Sequence, residues 1–378
     1  MLTLRDSEEE AAFRSEITRW AEDNLPEELR WRNDFESLLK VDKLLSEAGL
    51  IGIGWPGQYG GRGASPLIEA VMTDELGKVG VRRSRAPSHQ GTNTIGPTLM
   101  VHGTPEQRGR FLPEIIGVRE IWCQGFSEPD AGSDLASVRT IARQDGDVFI
   151  VNGSKIWTSL AQHADWIFAL VRTGSVEDRH KGLSFLLIPM TTAGIEVRPI
   201  KQITGASEFC EVFFTDVQVD RSGLVGEVGD GWRVAMTLLS SERLSGRYRY
   251  SMFRHELETL ARVYGARAPE NDGADPWIAE LGKVSALLDG IEAISLRVDS
   301  MRAAGQDPGM LASINKLWWP VAHQRLTELG LRMSSALADD PDYWYLAWLD
   351  ARPESIYGGS AQIQRNILSE RHLGMPRR

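Results

Sequence analysis

Toward both ends of the chain, apolar residues recur every three or four positions, whereas the middle carries short β-branched and aromatic runs. Near the start, "EEEAAFRSEITRWAEDNL" and "DFESLLKVDKLLSEAGL" gather their apolar side chains on one stripe of a helix and predict amphipathic helices. The passage "GIGWPGQYGGRGAS" breaks that rhythm with glycines and is expected to be loop. Further on, "DVFIVNG", "WIFALVRT", "LSFLLIPM", "IEVRPI" and "CEVFFTDVQV" read as strands, separated by turn signals at Asp145-Gly146 and Asn152-Gly153. Strands this close, with no helical pattern between them, indicate an antiparallel sheet or barrel. After Gly231 the helical period returns in "WRVAMTLLSSERLSGRYRYSMFRHELETLARVYG" and two later stretches. The expected fold is α+β. An N-terminal helical domain covers residues 1–118, a middle antiparallel β-sheet or barrel domain covers 119–227, and a C-terminal four-helix-type bundle covers 228–378.

Composition narrows the class without altering this picture. The 378 residues suffice for two or three domains with a large shared core. A formal net charge of −10 argues against a nucleic-acid footprint, which needs a basic patch. Cys123 and Cys210 form no CxxC and cannot build a disulfide framework, which fits a reducing, cytoplasmic setting. The acidic N-terminus lacks signal-peptide layout, and no apolar run approaches the roughly 20 residues of a membrane span.

Several motif matches carry no chemistry. Gly52-Ile-Gly-Trp-Pro-Gly57 satisfies GxGxxG but has a helical pattern before it and Pro56 inside it, so no helix N-terminus is offered to a pyrophosphate. Ser37-Leu-Leu-Lys40 and Ser313-Ile-Asn-Lys316 match SxxK within helical patterns and lack companion motifs. The histidines are scattered without metal-ligand spacing, so no metal site is expected.

Two stretches in the middle region are different. Trp122–Ala136, "WCQGFSEPDAGSDLA", combines glycines (Gly125, Gly132) with hydroxyls (Ser127, Ser133) and backbone donors suited to a polar-edged ligand. Some twenty residues on, "VNGSKIWTSLAQHADW" places Trp157 beside Thr158 and Ser159, an aromatic face next to hydroxyls that can pack a flat heterocycle and bond its edge.

In this order, between helical regions, these stretches resemble the acyl-CoA dehydrogenase family. "WPGQYGGRG", "HGTPEQRGRFLPEI", "CEVFFTDVQV", "GEVGDGW" and "IQRNILSERHLG" extend the resemblance along nearly the whole chain. It implies FAD as cofactor, contacted by Gly125, Phe126, Ser127, Trp157, Thr158, Ser159, Ser360 and Gln362, with Ser133, Arg243 and Gly358 on the substrate side. It also implies oxidation of an acyl-CoA to the 2-enoyl-CoA, with an electron-transfer flavoprotein as acceptor.

The family's usual glutamate within Tyr-Glu-Gly-Thr is absent. "IYGGSAQIQ" has Gly358 there, which can offer only its backbone N–H. Other members carry the base just before an arginine on the helix after the sheet, and "SSERL" fits that place. Glu242 is therefore the expected general base. Its alternative is an exposed ion pair with Arg243. Arg247, Tyr248 and Tyr250 are candidates for tuning the far pocket.

The stretches by which homotetrameric relatives hold a neighbour's FAD adenine are missing from "LARVYGARAPENDGADP" and "LGLRMSSALADDPDYWYLAWLD". That leaves a homo-oligomer with atypical contacts, or a heterotetramer with a second acyl-CoA dehydrogenase-like subunit, as in actinobacterial steroid side-chain enzymes. Two other functions stay open: a monooxygenase or oxidase on the same fold, and a catalytically silent subunit.

Overall fold

The structure, a computed structural model, describes residues 6–242, 246–267, 275–337 and 340–376. In chain order it forms α1 (Glu8–Asn24), α2 (Phe35–Glu47), α3 (Pro66–Lys78), α4 (Gly96–His102) and α5 (Pro105–Ile116). Seven strands follow: β1 (Trp122–Gly125), β2 (Ile141–Asp145), β3 (Val148–Ser159), β4 (Trp166–Arg172), β5 (Leu183–Pro189), β6 (Ile195–Ile200) and β7 (Phe209–Asp220). The chain then returns to helix as α6 (Gly231–Glu242), α7 (Gly246–Arg267), α8 (Pro276–Ala303), α9 (Gly309–Leu337), α10 (Pro341–Asp350) and α11 (Ala361–Ile367). This is the expected order of helices, sheet and helices.

Local chemistry sets several of these boundaries. Ser7 and Glu10 form a reciprocal capping box at the start of α1, and Thr104 with Gln107 forms another at α5. Ser65 and Asp275 cap α3 and α8, each followed by a proline at the first helical position, where its missing N–H costs nothing.

Packing divides the chain into two compact units. One comprises Met1–Asn33, Ala64–Ser84 and Arg243–Arg378, and the other Asp34–Gly63 and Arg85–Glu242.

The second unit holds the sheet, ordered β1-β4-β2-β3-β7-β6, with β5 also paired to β4. Antiparallel pairings dominate, but β1–β4 and the short β2–β4 contact are parallel. Strands β4 and β5 are predominantly apolar because both their faces are buried, with Arg172 and Ser184 the polar exceptions. Phe168, Leu170 and Phe185 pack with Leu99, Phe111, Leu112 and Leu238 from α4, α5 and α6. Ile167, Ala169, Val171 and Leu186 pack instead with Phe149, Val151, Val212 and Phe214 of β3 and β7. The sheet therefore curls over a second core of its own, which is what the closely spaced strand runs required.

The turn expected at Asp145-Gly146 is present, joining β2 to β3. Asn152-Gly153 is not a turn. It sits inside β3 at a register shift, where Gly153 has φ +141° and an added Cβ would come within 2.7 Å of Thr140 Cα. The Asn-Gly pair here makes a bulge, with the glycine chosen for close backbone approach.

In the first unit, α7, α8, α9 and α10 enclose Phe253, Leu257, Leu288, Trp319, Leu326, Met333 and Trp344. Helix α3 joins them through an ion pair from Arg302 to Glu69 at 3.1 Å, and α1 is tied to α3 by Arg14 to Glu75 at 2.6 Å. Among the described residues no helix is long and apolar enough to cross a membrane.

Candidate functional site

Strand β3 changes character at its end. A second register shift against β7 falls between Lys155 and Thr158, and Trp157 takes a left-handed backbone with φ +60°. A bulky residue pays of order 1 kcal/mol or more for that conformation, and such strain concentrates at functional positions. The bulge turns the indole outward: Trp157 is 57% exposed, while Thr158 is fully buried and Ser159 half-buried. The Phe209 ring supports the indole edge-on, 6.2 Å between centroids at 82°. Large apolar side chains this exposed beside hydroxyls are good platforms for a ligand. The Thr158 hydroxyl is buried without a hydrogen-bond partner.

The loop after β1 lies against this segment. Ile156 N–H donates to the Ser127 carbonyl at 2.9 Å, tying the two stretches directly. The loop then closes a tight turn between Glu128 and Ala131. Phe126 points inward, edge-on to Phe168 and Phe185. Ser127 stays half-buried, and neither its hydroxyl nor that of Ser159 is engaged by a hydrogen bond among the described residues. Gly125 is small for a reason, since an added Cβ would meet Ile167 Cδ1 at 2.7 Å and Lys155 Cγ at 3.3 Å. Ser133 is exposed beyond the turn.

Beneath the two stretches sits an ion pair that the sequence reading missed. Lys155, fully buried, places Nζ 2.7 Å from Glu128 Oε1, 2.6 Å from the Leu170 carbonyl and 3.2 Å from the Phe126 carbonyl. The Glu128 carboxylate also accepts Arg139 N–H at 2.6 Å and Thr140 N–H at 2.9 Å. Burial drives Lys155 down to about 8, although Glu128 opposes the drop. Burial would raise Glu128, but Lys155 and the two backbone donors hold it below the usual carboxylate range.

The C-terminal candidates belong to the other unit. Gly358 and Gly359 both have positive φ, 62° and 84°. Ser360 caps α11, its hydroxyl accepting Ile363 N–H at 3.3 Å, and Gln362 is exposed on the first turn. Backbone of this kind, which glycine adopts at little cost, leaves N–H groups ahead of a helix start. Glu242 is the last residue of α6, but its side chain and all of Arg243 lie outside the described residues. Arg247 does not line the crevice that Tyr248 lines. It is buried against Asp74, in a bidentate pair that also engages Ser251. Tyr248 lines that crevice with Thr73, Ser84, Ser251 and Met252.

Residues 7–118, 123–217 and 229–373 match the family models for the N-terminal, middle and C-terminal domains of acyl-CoA dehydrogenases. The chain belongs to the acyl-CoA dehydrogenase family. It is 40% identical over 395 residues to the acyl-CoA dehydrogenase IpdE1 of Mycobacterium tuberculosis, covering 99% of each chain. Among solved structures it resembles the Tcur3481-Tcur3483 steroid ACAD (TM-score 0.87, 28% identity, 100% of both chains). It also resembles the ChsE4-ChsE5 complex from Mycobacterium tuberculosis (TM-score 0.85, 26% identity, 100% of both chains).

The expected cofactor agrees with membership of an acyl-CoA dehydrogenase family, and PigA with FAD and proline has the same fold (TM-score 0.86, 20% identity). The residues present fit that group. The exposed Trp157 indole suits one face of an isoalloxazine, and the uncommitted Ser127 and Ser159 hydroxyls suit its polar edge. The buried, unpartnered Thr158 hydroxyl marks the same place as one prepared for a polar ligand or water.

Proposed function

We propose that this chain carries out FAD-dependent α,β-dehydrogenation of an acyl-CoA thioester, with Glu242 as the general base. The observation that carries the reading is the pair of loops tied through Ile156 and Ser127, which presents Trp157, Ser127 and Ser159 uncommitted beside one another. FAD, when bound, supplies the acceptor for the hydride leaving the β-carbon. Glu242 takes the α-proton, a step that needs a base held within hydrogen-bond reach. The Gly358 N–H polarises the thioester carbonyl and steadies the charge that develops there. Trp157 would cover one face of the bound ring and exclude water from it, and the Ser159 hydroxyl would donate to its edge.

The substrate class follows from the relatives. Similarity to the Tcur3481-Tcur3483 steroid ACAD supports a steroid-derived CoA thioester. That protein and ChsE4-ChsE5 are two-component assemblies, which supports pairing of this chain with a second acyl-CoA dehydrogenase-like subunit. The partner would supply adenine contacts for which this chain lacks the family's donors. An electron-transfer flavoprotein is the proposed acceptor.

The test is a panel of short, branched, aromatic and steroid-derived CoA thioesters with an artificial electron acceptor, run on the chain alone and with candidate partners. Turnover of a steroid-derived thioester, dependent on Glu242, is the expected result. Rapid reoxidation of the flavin by oxygen without a thioester would point to an oxidase instead. Full FAD occupancy and activity in the lone chain would rule out obligate pairing.

A further inference from the structure

The Glu128–Lys155 pair is more than a buried salt bridge that happens to lie under a loop. All three Nζ donors of Lys155 are used, tying two points of the loop after β1, the Phe126 carbonyl and Glu128, to Leu170 in β4. The bond to Phe126 has a geometric consequence. In a trans peptide the C=O and the following N–H point in opposite directions. Drawing the Phe126 carbonyl inward onto Lys155 therefore turns the Ser127 N–H away from the core. That N–H donates to no protein group among the described residues. The Ser127 carbonyl is in turn held inward by Ile156 N–H, which fixes the next peptide as well. Glu128 locks the ammonium from the other side and is itself held by Arg139 and Thr140 N–H. The lysine stem packs under Gly125, where an added Cβ would stand 3.3 Å from Lys155 Cγ. The remaining strand, two residues on, carries Trp157.

We propose that Lys155 and Glu128 are positioning residues for the flavin: they aim the Ser127 backbone N–H at an acceptor atom on the polar edge of the ring and hold it in register with Trp157. A methionine would fill the same volume, but it cannot draw the Phe126 carbonyl inward. The inference rests on the functional reading above, that these loops hold FAD.

The test uses the full chain loaded with FAD and the double variant Glu128→Gln/Lys155→Met, which removes both charges and leaves neither unpaired. The expected double variant is folded by circular dichroism but binds FAD about tenfold more weakly, the worth of one lost hydrogen bond. Its bound flavin shows a shifted visible absorption band, which a merely structural change distant from the ring would not produce. A folded double variant with wild-type affinity and spectrum overturns the proposal. Amide exchange on the wild type decides the matter independently of whether the variant folds. The Ser127 N–H should exchange readily without FAD and gain protection on its addition, and no gain overturns the proposal. A wild type that binds no FAD, either alone or together with its partner subunit, sinks the functional reading itself. Binding and turnover with an unchanged double variant remove only the positioning role.

Discussion

His323 Nδ1 lies 2.8 Å from both carboxylate oxygens of Glu354, while its Nε2 stands 3.2 Å from Glu256 on α7. The ring is buried and stacked on Phe253 at 3.9 Å. Glu256 is further held by the Tyr343 hydroxyl at 2.9 Å, and Lys316 donates to the Glu354 carbonyl at 2.6 Å. This array anchors the turn that leads into Gly358.

Burial alone would lower His323, but Glu354 and Glu256 outweigh it and raise the imidazolium to about 9. A group raised in the folded state stabilises fully below its unfolded value, near 6.5, and loses that contribution as pH climbs through 9. We expect the wild type to lose about 3 kcal/mol from this group between those limits, read from urea midpoints across the range. His323→Gln should be less stable at pH 6.5 and should lack this part of the slope. A wild-type profile that stays level over the window would show the imidazole to be neutral throughout.

Gly330 on α9 lies under the indole of Trp344 on α10, so close that an added Cβ would stand 2.0 Å from Trp344 Cε3. Gly330→Ala gains about 1 kcal/mol of helix propensity. It must also displace a ring that is 3% exposed in a packed core. Overpacking of that kind costs about 1–3 kcal/mol, and a contact this close belongs at the upper end, so a net loss of up to about 2 kcal/mol is expected in thermal or urea unfolding. A variant as stable as the wild type would mean the two helices can separate without penalty.

Legibility of the chain differed with the kind of order involved. Strands β4 and β5 announce themselves because burial on both faces demands mainly apolar runs, Ile167–Val171 and Phe185–Ile188. Strand β1 does not, because Trp122–Gly125 has only four residues and ends in a glycine, so it reads as part of the loop it precedes. Strand β2 buries only Ala142 and has no apolar face to show. The Asn152-Gly153 signal was real but was spent on a bulge, since a local glycine preference cannot tell a turn from a close backbone approach. At the site, Trp157, Ser127 and Ser159 were legible as types and spacing. Lys155 and Glu128 were not, because a buried ion pair between residues 27 apart leaves no periodic mark on either segment. His323 and its carboxylates, joined across helices, were invisible for the same reason.

Trp157 offers a way to separate ligand binding from folding. Replacing it with glycine relieves the left-handed strain and removes an indole that is mostly in solvent. The apo protein should therefore stay within about 1 kcal/mol of wild type, since the lost contact with Phe209 is offset by the relaxed backbone. FAD affinity should fall by at least about tenfold, measured by titration with flavin fluorescence. Unchanged affinity would mean that the ring binds elsewhere.

Glu242→Gln tests the base itself. Glutamine keeps the shape of the side chain and removes the proton acceptor, so FAD occupancy and thioester binding should persist while kcat drops by about 10²–10⁴. The change belongs in kcat because the carboxylate is needed for the α-proton in the transition state, not for holding the thioester. The same substitution should abolish exchange of the substrate α-proton into deuterated water, a reaction that needs the base but no electron acceptor. Arg243→Gln, by contrast, should act mainly on KM if its cation serves the substrate side. Should a complex carrying Glu242→Gln keep wild-type turnover and exchange, catalysis resides in another carboxylate or in a partner, and this subunit supports the active one without performing the oxidation.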